Sequence, residues 1–420
     1  MIRLGTVFSG IGAIEQALRR MNERHRIVFA CDNGDIELKL LERQRQKKYE
    51  EYKRLDKKRS LNESQRKEYD GMIAEEQQKI EDVRTEAFSK KCKDENREYV
   101  EEVYRKFGKG ENYVKKSYLA NYKIDVSDFH LDMRFFNGKD YQNKVDLLVG
   151  GSPCQSFSTV GKQRGLEDAR GTLFYEFARL VKEVRPRVFI YENVQGLKTN
   201  DGGRTLLVIK RIFTQDLGYR IFPEQVLNAA DYGIPQTRRR LYIVGFRGDI
   251  KCQDFEYPKP VKLCYTLQDF LEDKCAYHNF TFRNDTGALV VRKRHGIPDP
   301  KFILTPGVQK YVLASGTKTF KTSTATDLPV ARTLLKTMTQ HHRAGVDNYI
   351  TVQRDPLLLR ALTDREALRL MGFPDDFKIV VPPMQVYRQA GNSIVVDVLM
   401  AIVKQIFKTG ALKTERKNHE

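Results

Sequence analysis

The sequence predicts an α/β protein built on a doubly wound, mostly parallel sheet. Three observations carry that expectation. Short apolar runs such as LGTVF, RIVFA, VDLLVG, RVFIYE and RLYIVGF recur along the chain. Several alternate with amphipathic stretches, among them LFYEFARLVKEV and LLVIKRIF, and that alternation belongs to strand–helix–strand units with helices on both faces. A glycine-bearing turn, Phe8-Ser9-Gly10-Ile11-Gly12, runs directly from the first strand into a helix with Ile14, Ala17, Leu18 and Met21 on one face.

Each element follows in order. A turn of this kind lets a ligand approach backbone at a helix N-terminus. The next strand ends at Asp32, about twenty residues on, where a carboxylate suits ribose hydroxyls. Residues 36–120 then hold 23 Lys/Arg and 19 Asp/Glu. LERQRQKKYEEYKRL and MIAEEQQKIEDVRTEAF predict an antiparallel helical hairpin, with Asn62 or Ser64 as N-cap of the second helix. Both signs cancel along the same faces, so a solvated structural insertion is favoured over a nucleic-acid arm.

The segment 278–345 differs, with 11 Lys/Arg, 3 Asp/Glu and four His. Its pieces, such as YVLASG, look like short strands broken by turn residues. VVRKRHG and TQHHRAG look like exposed basic loops suited to phosphate and groove contacts. Near the end, Val395, Val396, Leu399, Met400, Val403, Ile406 and Phe407 share a helical face, which predicts a buried closing helix.

With 420 residues the chain has room for two or three domains. Its 74 Lys/Arg against 55 Asp/Glu give a net charge of +19, which favours a polyanionic partner, nucleic acid first. No run of about 18 apolar residues suggests a membrane span, and the N-terminus has no secretory pattern. Six cysteines make no disulfide framework and fit a reducing cytosol. Cys252, Cys264, Cys275 and His278 lack the tight pair spacing of zinc ligands, so no metal is expected.

The chemistry concentrates in three later pieces. Strand VDLLVGG ends in Ser152-Pro153-Cys154-Gln155-Ser156-Phe157-Ser158, which presents a thiol at the carboxyl edge of the sheet. Strand RVFIYENV brings Glu192 and Asn193 to the same edge, and Gln236-Thr237-Arg238-Arg239-Arg240 leads into LYIVGF. A thiol, an acid and arginines together suit an electron-poor heterocycle.

These pieces resemble the DNA (cytosine-5) methyltransferase family of the bacterial restriction–modification type. FSGIGA is similar to its cofactor turn, GGSPCQSFS to its nucleophile loop, and ENV and QTRRR to its next catalytic elements, in their usual order. DARGTLFYEF, RALTDREALRLMGFP and QAGNSIVVDVLMAI match further, so the resemblance spans Phe8 to Phe407. It implies a methyltransferase-type Rossmann-like catalytic domain over 1–255 that carries the insertion 36–120. A target-recognition domain over 256–385 and a C-terminal helix within 386–420 returning to the catalytic domain complete the expected organisation.

The resemblance also implies a mechanism. Cys154 would attack C6 of a flipped-out cytosine, Glu192 would engage N3, Arg240 the carbonyl oxygen, and Arg238 would hold Glu192 or the loop. S-adenosyl-L-methionine would be the methyl donor, with Phe8 against adenine, Gly10 and Gly12 at the methionine end, and Asp32 on the ribose. Asp125 in YKIDVSD would read the adenine amine, with Asp128 as its rival. Leu173, Asn392 and Ser393 would complete that pocket. Asn33 stands where the family commonly has a bulky side chain. Gln155, Ser158 and Arg343 would contact DNA. The expected setting is a cytoplasmic monomer on double-stranded DNA, with a companion restriction endonuclease acting on the same site. The alternatives are an RNA (tRNA) cytosine-5 methyltransferase, whose Cys-Phe-Thr signature is absent, and a catalytically silent DNA-binding relative.

Overall fold

A computed structural model describes residues 1–58, 60–152, 173–272, 287, 300–315 and 324–412, together with the backbone of 277–282 and 289–294. The N-terminal half alternates as expected. In chain order it contains β1 (Ile2–Val7), α1 (Ala13–Arg20), β2 (His25–Cys31), α2 (Arg43–Lys57), α3 (Glu63–Ser89), α4 (Lys93–Phe107), α5 (Tyr113–Asn121), β3 (Phe129–His130), β4 (Leu147–Gly150), α6 (Leu173–Val184) and β5 (Val188–Val194). Then come α7 (Arg204–Arg211), β6 (Tyr219–Ile221), β7 (Gln225–Asn228) and β8 (Arg239–Arg247).

These strands form one sheet in the order β3-β2-β1-β4-β5-β8-β6, with β7 also paired to β8. Strands β1 to β5 are parallel, and β8 runs antiparallel to β5, β6 and β7. The chain moves outward from β1 to β2 and β3, then returns to β4 on the other side of β1. That reversal leaves a crevice beyond the carboxyl ends of β1 and β4, where doubly wound sheets bind ligands.

Alternation along the strands feeds two cores. Leu147, Val149, Val188 and Ile190 face α1 and the C-terminal helix. Leu148, Phe189 and Tyr191 face Phe174 and Phe177 of α6 and Leu206 and Ile209 of α7. Both faces are covered, so β4 is buried at every position, as a parallel central strand requires.

The insertion contains the expected hairpin of α2 and α3. Asn62 is the cap, in a reciprocal capping box with Gln65. Arg45–Glu75, Lys48–Glu68 and Arg66–Asp56 pair across the two helices, around a small core of Tyr49, Tyr52, Tyr69 and Met72. Helix α4 then folds back, and the Asn96 amide donates to the carbonyls of Ala87 and Phe135. Arg84 ties α3 to the body through the Arg134 carbonyl and Glu176 of α6.

The C-terminal half adds the hairpin β9 (Tyr277–Phe282) and β10 (Leu289–Arg294), α8 (Pro306–Val312), the pair β11 (Tyr349–Arg354) and β12 (Leu357–Ala361), α9 (Asp364–Arg369), α10 (Pro383–Asn392) and α11 (Val396–Lys408). The expectation of a strand at YVLASG is corrected here: Tyr311 and Val312 end helix α8. Pro306 opens that helix, and Val308 and Val312, one turn apart, pack on Leu304, Tyr349 and Leu359. The closing helix is buried on more than one face, with Val398 and Ile402 as enclosed as Val396, Leu399 and Val403. Among the described residues, Pro383–Lys408 is the one stretch long and apolar enough to cross a membrane, and it packs into the core of this fold instead.

Candidate active site

The first strand ends in a turn of unusual backbone. Phe8, Gly10 and Gly12 all have positive φ, at 52°, 53° and 80°. A side chain at Gly12 would strike the Tyr122 ring at 2.2 Å, whereas one at Gly10 would meet only the Phe8 carbonyl, at 4.0 Å. The Tyr122 hydroxyl lies 2.9 and 2.8 Å from the carbonyls of Ile11 and Gly12, so it clasps the turn from behind. Gly12 is thus required by the protein's own packing, and Gly10 is the position left accessible.

Asp32 closes the same corner. One carboxylate oxygen accepts from Gly10 N–H and the other from Gly34 N–H, each at 2.8 Å. A carboxylate offers about four acceptor sites, so both oxygens retain capacity for hydroxyl donors. Burial raises this carboxyl to about 6, against the pull of those two N–H donors. Asn112, N-cap of α5, donates to the Asp32 carbonyl at 2.9 Å and fixes the loop from outside.

The second corner is at β5 and β8. Their register sets Val194 opposite Arg240 and Glu192 opposite Tyr242, which makes Glu192 and Arg240 diagonal neighbours on one face. The Arg240 Nε lies 3.1 Å from Glu192 Oε1. Burial pushes the Glu192 carboxyl up, while Arg240 and Arg238 oppose it. Arg238 does not bond Glu192. Arg238 is 3% exposed, and its guanidinium donates to the carbonyls of Leu334, Gly391 and Ser393 at 3.1, 2.9 and 2.8 Å. It is a clamp joining β8 to the C-terminal half, and burial lowers it to about 9.

Between the two corners β4 leads to Gly151 and Ser152, the last described residues before Cys154. Cys154, Gln155 and Ser158 lie outside the described residues, but the entry to their loop is defined. The Asn193 amide donates to the Ser152 carbonyl at 2.8 Å, and the Ser152 and Tyr191 hydroxyls are 2.7 Å apart. A side chain on Gly151 would come within 2.5 Å of the Glu192 carbonyl and 2.7 Å of its Oε2. The loop therefore starts in contact with the acid. Sequence reasoning missed Ser152, Tyr191 and Gly151, although the Gly150-Gly151 pair was a visible sign of close approach.

Other expected residues are more scattered. Leu173 opens α6 and packs on the second core. The Asn392 amide donates to Asp35 at 3.2 Å, and the Ser393 hydroxyl to the Ile394 carbonyl. Arg343 stacks on Tyr311 at 5.5 Å, far along the chain from these corners. Asp125 is placed differently from the expectation. It precedes β3, so it is on the amino-terminal side of that strand, exposed and capping its own turn at Ser127. Asp128 also precedes β3 and is held by Lys93 and Tyr141. The acid beyond the carboxyl end of β3 is Asp132, buried and bonded to Tyr104 and Arg134. A two-residue strand carries too little alternation to have marked it.

A sheet of this order, with a buried carboxylate at one corner and an acid–arginine pair at the other, is the architecture of a doubly wound α/β enzyme. The model of the C-5 cytosine-specific DNA methylase family matches residues 107–408, and the chain belongs to that family. It is a DNA (cytosine-5) methyltransferase. The chain is 37% identical over 301 residues to the Type II methyltransferase M.PspPI of Psychrobacter sp. (strain TA137), covering 69% of each chain. It is 36% identical over 265 residues to M.HhaI of Haemophilus parahaemolyticus, covering 62% of this chain and 75% of that one. In fold it is similar to the S. pombe Dnmt2 methyltransferase, with a TM-score of 0.60 at 16% identity over 97% and 99% of the two chains.

Proposed function

We propose that the enzyme methylates C5 of cytosine within a specific double-stranded DNA sequence, with S-adenosyl-L-methionine as donor, as the modification partner of a Type II restriction system. The observation that carries this reading is the Glu192–Arg240 pair at 3.1 Å, built against the entry to the Cys154 loop. The donor set at Asp32 fits a nucleoside cofactor: a half-used carboxylate for the ribose hydroxyls beside an open glycine at Gly10. Phe8, Asp32, Leu173, Asn392 and Ser393 would hold it. When bound, the cofactor supplies an electrophilic methyl group.

The protein's part follows from its residues. Cytosine C5 is a weak nucleophile until C6 is attacked, so Cys154 adds to C6 as the thiolate. Charge then develops toward N3, where Glu192, kept protonated more readily by its burial, donates a hydrogen bond. Arg240 neutralises the base carbonyl oxygen and fixes the side chain of Glu192. After methylation at C5, the C5 proton leaves and the Cys154–C6 bond breaks. None of this reaches a stacked base, so the target cytosine is flipped out of the duplex.

Expression in a methylation-free host, followed by conversion sequencing, tests the reading. A single sequence motif carrying 5-methylcytosine is expected, and it disappears with Cys154→Ala while the purified variant still binds DNA. Methylation by Cys154→Ala, or 5-methylcytosine confined to RNA, would refute the proposal.

A further inference from the structure

An enzyme that selects one cytosine in a sequence must hold its reading surface at a fixed offset from the group that receives the base. Halves of a chain otherwise shift relative to each other. A continuous path of hydrogen bonds joins Arg240, the second residue of β8, to the basic loop TQHHRAG at 339–345. Residues 331–334 lie alongside 235–237. Ala331 N–H donates to the Pro235 carbonyl at 2.8 Å, Thr237 N–H to the Ala331 carbonyl at 2.7 Å, and the Thr333 hydroxyl to the Thr237 carbonyl. The buried Gln236 side chain accepts from Leu334 N–H at 3.1 Å and donates to the Leu370 carbonyl at 2.7 Å.

The other edge of this ribbon is held by a side chain. The Asn348 amide accepts from Arg332 N–H at 2.8 Å and donates to the Arg332 carbonyl at 3.2 Å, as a neighbouring strand would. Asn348 is 3% exposed, and its own N–H donates to the Asp347 carboxylate at 2.9 Å. Arg332 Nε donates to the Ala344 carbonyl at 3.1 Å, and Asp347 N–H to the Arg343 carbonyl at 2.9 Å. Arg332 is thus gripped at its main chain by Asn348 and at its side chain by the loop itself.

We infer that Asn348 is a positioning residue for sequence selection: through Arg332 it fixes the offset between the loop 339–345 and Arg240. The inference rests on the sequence-specific methylation proposed above. A wrong base pair in a recognition site costs roughly five- to a hundredfold in affinity, provided the reading groups stay in register. A loop free to shift recovers part of that loss at the wrong sequence.

The test compares Asn348→Ala with the unsubstituted protein, first by conversion sequencing in a methylation-free host. Kinetics follow on duplexes bearing the motif so found, or that motif with one base pair changed outside the target cytosine. Methylation of the changed duplexes relative to the motif should rise about tenfold, with kcat on the motif held and KM raised. Thermal melting reports the fold. Should Asn348→Ala not melt cooperatively, Arg332→Gln, which removes the bond to Ala344, reads the same ratio. An unchanged ratio, or an equal loss on every duplex, overturns the positioning role, because a merely structural residue lowers both rates alike. If the unsubstituted protein methylates no single motif, the sequence-specific reading itself fails, and this inference with it.

Discussion

Glu192 and Gly151 define a tight constraint at the β5 corner of the site. A methyl group at position 151 collides with Glu192 at both its carbonyl and its carboxylate. Gly151→Ala should lower single-turnover methylation by about a hundredfold, the usual cost of misplacing a reacting group by an ångström, with DNA affinity retained. A different residue, Glu15, governs stability against pH. Burial raises its carboxyl to about 7, although the Tyr118 hydroxyl donates to it at 2.5 Å. A carboxyl raised on folding stabilises fully below its unfolded value and loses that contribution as pH rises through the folded one. Glu15→Gln should therefore gain on the unsubstituted protein between pH 5 and pH 8, by roughly 2 kcal/mol, as denaturant unfolding at each pH would measure.

At the scale of elements, the insertion divides into two parts with different duties. The α2–α3 hairpin has its own small core and its own ion pairs. Met72 is fully buried there, so Met72→Ala should cost about 2–5 kcal/mol of local stability. Hydrogen exchange should show faster amides in α2 and α3, with the protection of β1, β4 and β5 unchanged. Helices α4 and α5 belong to the body instead. Tyr104, Asn112, Tyr118 and Tyr122 all bond residues around the first-strand turn or the ends of β2 and β3. The hairpin was legible because Asn62 and the apolar spacing mark it locally. The duty of α4 was not, because a Tyr–Asp contact across 28 residues leaves no periodic trace.

For the whole molecule the charge is unevenly distributed. Arg45, Lys48 and Arg66 of the hairpin are paired with acids of the facing helix, whereas the segment 278–345 carries a basic excess of 11 against 3. DNA affinity should fall steeply with ionic strength, and each phosphate contact removed should flatten the log–log slope by about 0.9. Neutralising Lys310, Lys336 and Arg343 should flatten it more than neutralising Lys47, Lys57 and Lys67, measured by fluorescence anisotropy at several salt concentrations. The reverse ranking would put the DNA on the hairpin face.

Local pattern determined a good deal. The strand–helix alternation, the turn at Phe8–Gly12, the hairpin of the insertion, the closing helix, and the acid and arginine at Glu192 and Arg240 all lie within short windows whose periodicity or motif order carries them. Tertiary structure decided which groups meet. It spent Arg238 on three carbonyls of the C-terminal half and left Asp125 on the amino-terminal side of β3. It also brought Tyr104 and Asp132 together at the far corner and turned YVLASG into the end of a helix. The physical reason is common to all four. Sequence encodes the face that each residue presents on its own element. What that face then touches depends on sheet order and on packing between segments scores of residues apart.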